Sequence, residues 1–147
     1  NKQVFIVKSD SGINTIDDLK GKTVETQKDS SALAALQGDN KTIADSFGTL
    51  TEVADYNTAF MDLKSGACEA IAMDIGVANY QIESRDAGKF VILDDYISTE
   101  QYGVGFFLGN EELRDQVQET LYEMVKDGKF DEIAKKWDLQ DCVVLGK

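Results

Sequence analysis

The clearest change of periodicity in the chain lies in Lys22-Thr-Val-Glu-Thr-Gln-Lys-Asp-Ser-Ser-Ala-Leu-Ala-Ala-Leu36. Up to Thr26 the residues alternate as they do in a strand, and after Asp29 the apolar residues recur at helical spacing. Ser30 and Ser31 therefore stand at the start of a predicted helix. Backbone N–H groups there have no intrahelical acceptor and lie at the positive end of the helix dipole. This position is predicted to bind an anion.

Further strands and helices alternate outward from this stretch. A helix is predicted to begin at an Asn57 cap and to end at Gly66, and another is predicted to begin at Asp74. The predicted buried strands cover residues 4–7, 51–56, 70–73 and 90–93. This alternation predicts an α/β fold with a mostly parallel sheet and helices on both faces. Ligands collect beyond the carboxyl ends of the strands in such sheets, here at Gln27 to Ser31 and at Met73 to Asp74.

The last third of the chain has a different pattern. A linker is predicted at 94–101 and a glycine-spaced strand at 102–108. Apolar residues then recur every four positions from Leu113 to Val125, and a second amphipathic helix follows Gly128. Both helices need an apolar partner surface.

Length and charge limit the classes of function. The 147 residues suffice for one sizeable core, or for one domain and part of another. A net charge of −12 argues against binding to nucleic acid or to an anionic membrane surface. No run approaches the ~18 apolar residues of a membrane span. The chain enters a strand within a few residues of Asn1, from which we expect a piece of a longer polypeptide.

Cysteine and histidine content bears on metal and catalytic chemistry. The chain has no histidine, which excludes a zinc site with histidine ligands and a Ser-His or Cys-His nucleophile pair. Cys68 and Cys142 lie in no C-x-x-C arrangement. A disulfide between them and two separate buried thiols are both compatible with the sequence. No metal and no cofactor is expected.

Several motifs, in order along nearly the whole chain, resemble one family. They are Ile16-Asp-Asp-Leu-Lys-Gly-Lys-Thr-Val24, Gln27 to Ser31, Leu63-Lys-Ser-Gly-Ala-Cys-Glu-Ala70, Met73-Asp74, Tyr102-Gly-Val-Gly-Phe106 and Lys129-Phe-Asp-Glu-Ile-Ala-Lys-Lys-Trp137. Each motif alone is weak, but the ordered set is specific. The chain resembles the polar amino-acid-binding proteins of bacterial ABC importers, the family 3 extracellular solute-binding proteins.

The resemblance implies a domain organisation. In this family two α/β lobes close on an amino acid, and the chain crosses between the lobes twice. Residues 1–100 would form the second ligand-binding lobe, residues 101–104 the crossing, and residues 105–147 the C-terminal part of the first lobe. The N-terminal part of the first lobe has no counterpart in this sequence.

The resemblance also implies which residues hold the ligand carboxylate. Ser30 and Ser31 would bind it with backbone N–H groups and a hydroxyl, and Gln27 would line the cleft. The alternative for Ser30 is an ordinary helix N-cap. The family usually has glycine where Asp29 stands, and aspartate tolerates the left-handed conformation better than most residues.

Asp74 matches the family carboxylate that receives the ligand ammonium group. It is also suited to capping the helix that begins at Ile75, and a carboxylate has two oxygens for the two roles. Tyr56 and Met73 lie at strand ends and are weaker candidates for the cleft. Ordinary core packing is the alternative for both.

The function implied by the resemblance is extracytoplasmic binding of a polar amino acid, either periplasmic or lipid-anchored, for delivery to an ABC permease. A ligand-sensing domain of a membrane receptor and a dehydratase of the same fold are the alternatives. The unpartnered helices near the C-terminus also raise a domain-swapped or homodimeric assembly of the fragment.

Overall fold

The computed structural model describes residues 1–85 and 88–146, and it divides into two compact units, Asn1–Glu100 and Gln101–Lys147. The strands of the first unit are β1 (Lys2–Lys8), β2 (Thr23–Gln27), β3 (Thr49–Val53), β4 (Ala70–Asp74) and β5 (Phe90–Thr99). Its helices are a 3-10 turn (Ile16–Leu19), α1 (Ser31–Gln37), α2 (Lys41–Ala44), α3 (Tyr56–Ser65) and α4 (Ile75–Glu83). Strand and helix alternate as predicted.

The five strands form one sheet in the order β3-β2-β4-β1-β5. β2 is parallel to β3 and β4, whereas β1 is antiparallel to both β4 and β5. β5 therefore runs in the direction of β4, so that four strands point one way and β1 opposes them. The predicted mostly parallel sheet is confirmed, with β1 as the exception.

Two hydrophobic clusters cover the two faces of the sheet. Phe5 and Val7 of β1 belong to the cluster that includes α1, while Val4 and Ile6 belong to the cluster that includes α3 and α4. All four side chains are at most 2% exposed, since β1 lies inside the sheet with apolar residues on both faces. The first unit thus has a core on each side of the sheet.

Three predicted boundaries in the first unit were wrong. The strand predicted at 51–56 is β3 and ends at Val53, so Tyr56 begins α3 and does not end a strand. The cap of α3 is Asp55, whose side chain accepts the Thr58 N–H, and not Asn57. The helix ends as predicted at Gly66, which has a φ of 86°. β5 continues through the predicted linker to Thr99, because β1 provides hydrogen-bond partners along its whole length despite two register shifts.

The second unit contains α5 (Glu111–Lys126), α6 (Lys129–Lys136) and a 3-10 turn (Gln140–Cys142). The predicted strand at 102–108 was wrong, since no residue of 101–146 is in a strand. An extended segment becomes a strand only when another strand pairs with it. None of the helices in the described residues is long and apolar enough to cross a membrane.

Glu25 of β2 is a charged residue inside the fold. Its side chain is 5% exposed, and its Oε2 atom is buried without a hydrogen-bond partner among the described residues. Burial raises the pKa of Glu25, the negative charge of Asp62 raises it further, and a hydrogen bond with Cys68 opposes the rise. Cys68 and Cys142 are both free thiols, and burial above all raises the pKa of Cys68 to about 12. Cys142 is only partly buried, so it differs from the buried thiol expected.

We predict that Glu25→Gln increases the free energy of unfolding at pH 7, because it removes a buried negative charge whose Oε2 has no hydrogen-bond partner among the described residues. A carboxyl group whose pKa is raised by folding stabilises the protein below its unfolded pKa, and this stabilisation is lost as the pH rises through the folded pKa. The gain should therefore disappear below about pH 4. Urea unfolding at pH 7 and below about pH 4 measures this gain in stability. Glu52→Gln, at an exposed position of β3, is the control. Equal stability of wild type and Glu25→Gln at pH 7 would contradict the prediction.

Candidate ligand-binding site

The candidate site lies at one edge of the sheet. Because β2, β3 and β4 are parallel, their carboxyl ends meet there. The amino end of the antiparallel β1 reaches the same edge, where Gln3 pairs with Asp74 and Lys2 pairs with Thr99. Gln27 ends β2 and Asp74 ends β4. The topology therefore brings the two predicted ends of the site to one edge.

Ser30 forms the start of α1. Its Oγ accepts the Leu33 N–H at 3.1 Å, so the residue is a helix N-cap. It also lies 3.2 Å from Oγ1 of Thr26, whose hydroxyl donates to the carbonyl of Ala72 at 2.9 Å. Hydroxyl contacts thus link the start of α1 to β4. The N–H groups of the first helical turn, beginning at Ser31, have no acceptor within the helix.

The turn between β2 and α1 requires an unusual backbone conformation. Asp29 has a φ of 57°, which is the left-handed region, and its side chain is exposed. Aspartate adopts this conformation at a lower cost than most residues other than glycine. Ser31 is exposed and Gln27 is partly buried, so both are accessible at the edge.

Asp74 uses its two carboxylate oxygens differently. Oδ1 accepts the N–H groups of Gly76 at 2.8 Å and Val77 at 3.2 Å and thereby caps α4. Oδ2 accepts a hydrogen bond from Nδ2 of Asn1 at 2.6 Å. The capping role expected for Asp74 is present, and the second oxygen points to a nitrogen donor.

Tyr56 lies between the two ends of the site. Burial raises the pKa of its phenol most, hydrogen bonding with Ser30, Thr26 and the Gln27 backbone lowers it, and the charge of Asp74 raises it. The phenol is therefore in the electrostatic environment of both ends. It is half-buried and remains accessible.

Met73 is placed differently from the other predicted site residues. Its side chain is 0% exposed and packs in the cluster with Phe60, Leu63 and Ile71. The packing alternative describes this side chain, because a strand residue next to Asp74 points to the opposite face.

Sequence reasoning missed a group of polar residues at the same edge. Nδ2 of Asn1 donates to Oε1 of Glu100 at 2.7 Å as well as to Asp74. Nε2 of Gln3 donates to the same Oε1 at 2.9 Å, and Gln3 is 1% exposed. A buried glutamine in an apolar strand was the one available signal. Glu100 could not be placed, since β5 was predicted to end before it.

Metal binding is not indicated by the arrangement of side chains. In residues 1–85 and 88–146, no group of three or more Cys, Asp or Glu side chains is placed to hold a metal ion. What the edge offers is hydroxyl and N–H donors at the start of α1 and carboxylate acceptors at Asp74 and Glu100. Such a pair of ends can bind a small molecule that carries both an anionic and a cationic group.

Curated relatives match most of the chain. It is 29% identical over 136 residues to the arginine-binding extracellular protein ArtP of Bacillus subtilis, with 91% of this chain and 51% of ArtP covered. It is also 29% identical to the L-cystine-binding protein TcyJ of Escherichia coli K12, with 92% of this chain and 49% of TcyJ covered. The chain thus spans about half the length of the curated relatives that it matches.

Solved structures and a family profile agree with these relatives. An ancestral arginine-binding protein bound to arginine has a TM-score of 0.70 and 33% identity, covering 92% of this chain and 59% of its own. An ABC uptake transporter substrate-binding protein from Streptococcus pneumoniae with bound histidine has a TM-score of 0.77 and 28% identity, covering 93% and 57%. The profile described as "ABC transporter, phosphonate, periplasmic substrate-binding protein" matches residues 1–144. The chain belongs to the periplasmic substrate-binding proteins of ABC transporters.

Proposed function

We propose that this chain binds a polar amino acid outside the cytoplasm for delivery to an ABC permease. In the proposal residues 1–100 are the second lobe, residues 101–104 the crossing and residues 105–147 the C-terminal part of the first lobe. The observation that carries the proposal is the edge described above, which has the N–H and hydroxyl of the exposed Ser31 beside the Ser30 cap and a carboxylate acceptor at Asp74. Relatives named for binding arginine, glutamine and cystine support it.

A free amino acid fits this edge because its two charged groups share one carbon atom. Its carboxylate is placed at the start of α1, near Ser30 and Ser31, where first-turn N–H groups that have no acceptor inside the helix and the helix dipole favour negative charge. Its ammonium is placed beside the Asp74 carboxylate, whose Oδ2 faces the Asn1 amide nitrogen. Tyr56 and Gln27 line the space between the two ends.

A phosphonate is the second candidate ligand, because the matching family profile is described by that substrate. The start of α1 suits either anion. The carboxylates of Asp74 and Glu100 at the same edge repel a ligand that is only anionic, and they attract a ligand that also carries an ammonium group. The amino acid is therefore the better supported ligand.

Binding without turnover is the proposed activity. The relatives are named as binding proteins, and this supports a binding role over the dehydratase alternative. A sensor domain of a membrane receptor would use the same edge in the same manner. We infer the permease partner and the extracytoplasmic location from the named relatives.

We predict that the chain binds L-glutamine or L-arginine at millimolar strength or weaker. Each charged hydrogen bond contributes about 1.5–3 kcal/mol, and micromolar binding needs about 8 kcal/mol. One edge of a cleft provides too few such bonds. A titration followed by amide NMR shifts measures the affinity, with shifts expected at Ser30 to Ala32 and at Asp74 to Gly76. Micromolar binding measured by calorimetry would contradict the half-site proposal.

We predict that Asp74→Asn removes amino-acid binding while α4 stays capped. The asparagine oxygen can still accept from Gly76, whereas the ammonium loses its charged partner, at a cost of about 2 kcal/mol or more. Asp74→Ala should in addition lower stability by about 0.5–2 kcal/mol because the cap is lost. The NMR titration and urea unfolding separate these two effects.

The matched control for Asp74 is Asp55, whose side chain caps α3 by accepting the Thr58 N–H. Asp55→Ala should lower stability as Asp74→Ala does and leave binding unchanged. A titration with methylphosphonate tests the rival ligand. Binding of methylphosphonate that exceeds amino-acid binding, and that Asp74→Asn leaves intact, would refute the amino-acid proposal.

A homodimeric or domain-swapped assembly is the remaining part of the proposal. Apolar residues of the second unit are exposed, with Leu113 at 45% and Trp137 at 63%, and Leu113, Val117 and Leu121 line one groove along α5. Amphipathic helices with an uncovered apolar face are typical of an interface. We propose that a second copy of the chain covers this groove.

We predict that sedimentation velocity shows a concentration-dependent dimer and that Val117→Lys shifts it towards the monomer. A charged side chain in the apolar groove leaves an unpaired charge when the groove is covered. Gln118→Lys adds the same charge at a neighbouring exposed position of α5 and serves as the control. A monomer at every concentration would contradict the assembly.

A further inference from the structure

A cavity of about 380 Å³ lies between α1 and the end of β5 in the first unit. Its lining includes Ser31 at the proposed carboxylate end, and Ser98, Thr99 and Glu100 at the end of β5. Its volume is within the ~300–1,000 Å³ that small-molecule sites occupy. A ligand held at Ser31 and Asp74 therefore has space beside it that the two anchoring ends do not use.

The charge of the cavity lining has one sign. Its ionisable residues are Asp39 and Glu100, both acidic, and neither lysine nor arginine is among the lining residues. The electrostatic field in this space therefore favours a cation over a neutral or negative group.

Glu100 is held in place from the protein side. Its Oε1 accepts hydrogen bonds from Nε2 of Gln3 at 2.9 Å and from Nδ2 of Asn1 at 2.7 Å. Gln3 is 1% exposed near the amino end of β1, so its amide has little freedom to choose other partners. Two donors fix one oxygen of the carboxylate, and this fixes the direction of the other.

Glu100 also lies next to the proposed ammonium end. The same Asn1 nitrogen contacts both Oε1 of Glu100 and Oδ2 of Asp74. A ligand whose ammonium group occupies Asp74 therefore has Glu100 as a neighbour, with the cavity alongside. The side chain of such a ligand needs to span only a few bonds to reach the carboxylate of Glu100.

We propose that Glu100 is a specificity-determining residue that selects amino acids with a positively charged side chain, and that Gln3 is its positioning residue. The proposal rests on the amino-acid binding proposed above. The cationic group of the side chain occupies the cavity and contacts Glu100, while Asp39 contributes to the field. Gln3 acts only by holding the Glu100 carboxylate.

The test uses two ligands that differ in one charged group, L-lysine and its uncharged analogue L-norleucine. Titrations of the full chain followed by amide NMR shifts should give about tenfold tighter binding of L-lysine, as expected for one added charge pair. Glu100→Gln keeps an acceptor oxygen for Gln3 and should remove the preference. Asp10→Asn, which removes one negative charge at an exposed residue beyond the other end of β1, should retain it.

Gln3→Met tests the positioning role at similar side-chain volume. It should lower the ratio of lysine affinity to norleucine affinity, whereas a loss of stability alone would weaken the binding of both ligands equally. Binding of both ligands with equal affinity by the wild type, or a preference that survives Glu100→Gln, would overturn this inference and leave amino-acid binding standing. If neither ligand binds the wild type, the proposed function and this inference are both overturned.

Discussion

The parallel pairing of β2 with both β3 and β4 is the constraint on which the candidate site depends. Parallel neighbours end at the same edge, so the turn after β2 and the turn after β4 meet although 46 residues separate Thr26 from its hydrogen-bond partner Ala72. Each turn leads directly into a helix, and helix starts expose N–H donors. The edge is thus polar because of topology, while the faces of the sheet remain apolar.

Asp74 shows how one side chain can cap a helix and also present an oxygen for the proposed ligand. Capping by Oδ1 fixes the rotamer, and the fixed rotamer determines where Oδ2 points. A carboxylate that is already ordered loses little conformational entropy when it binds a ligand. The cap is therefore a reason for proposing Asp74 as an anchor and not an alternative to it.

The sequence predicted local features better than their pairing. The change of period at Asp29 gave the β2–α1 junction, because strand and helix patterns differ within a few residues. The end of β5 and the position of Glu100 depend on hydrogen bonds with β1, which lies 97 residues away, and no local pattern encodes them. The role of Met73 was ambiguous in the sequence, since a buried side chain and a site residue can be neighbours in one strand.

The antiparallel direction of β1 has a mechanical consequence. Because Lys2 pairs with Thr99, the two ends of the first unit lie side by side, one residue pair away from the pairing of Gln3 with Asp74. The side-chain amide of Asn1 donates to the carboxylates of Glu100 and Asp74 and so connects these two ends to the end of β4. A displacement of either end relative to the sheet therefore reaches the Asp74 carboxylate through two hydrogen bonds, without any rearrangement of the strand pairing.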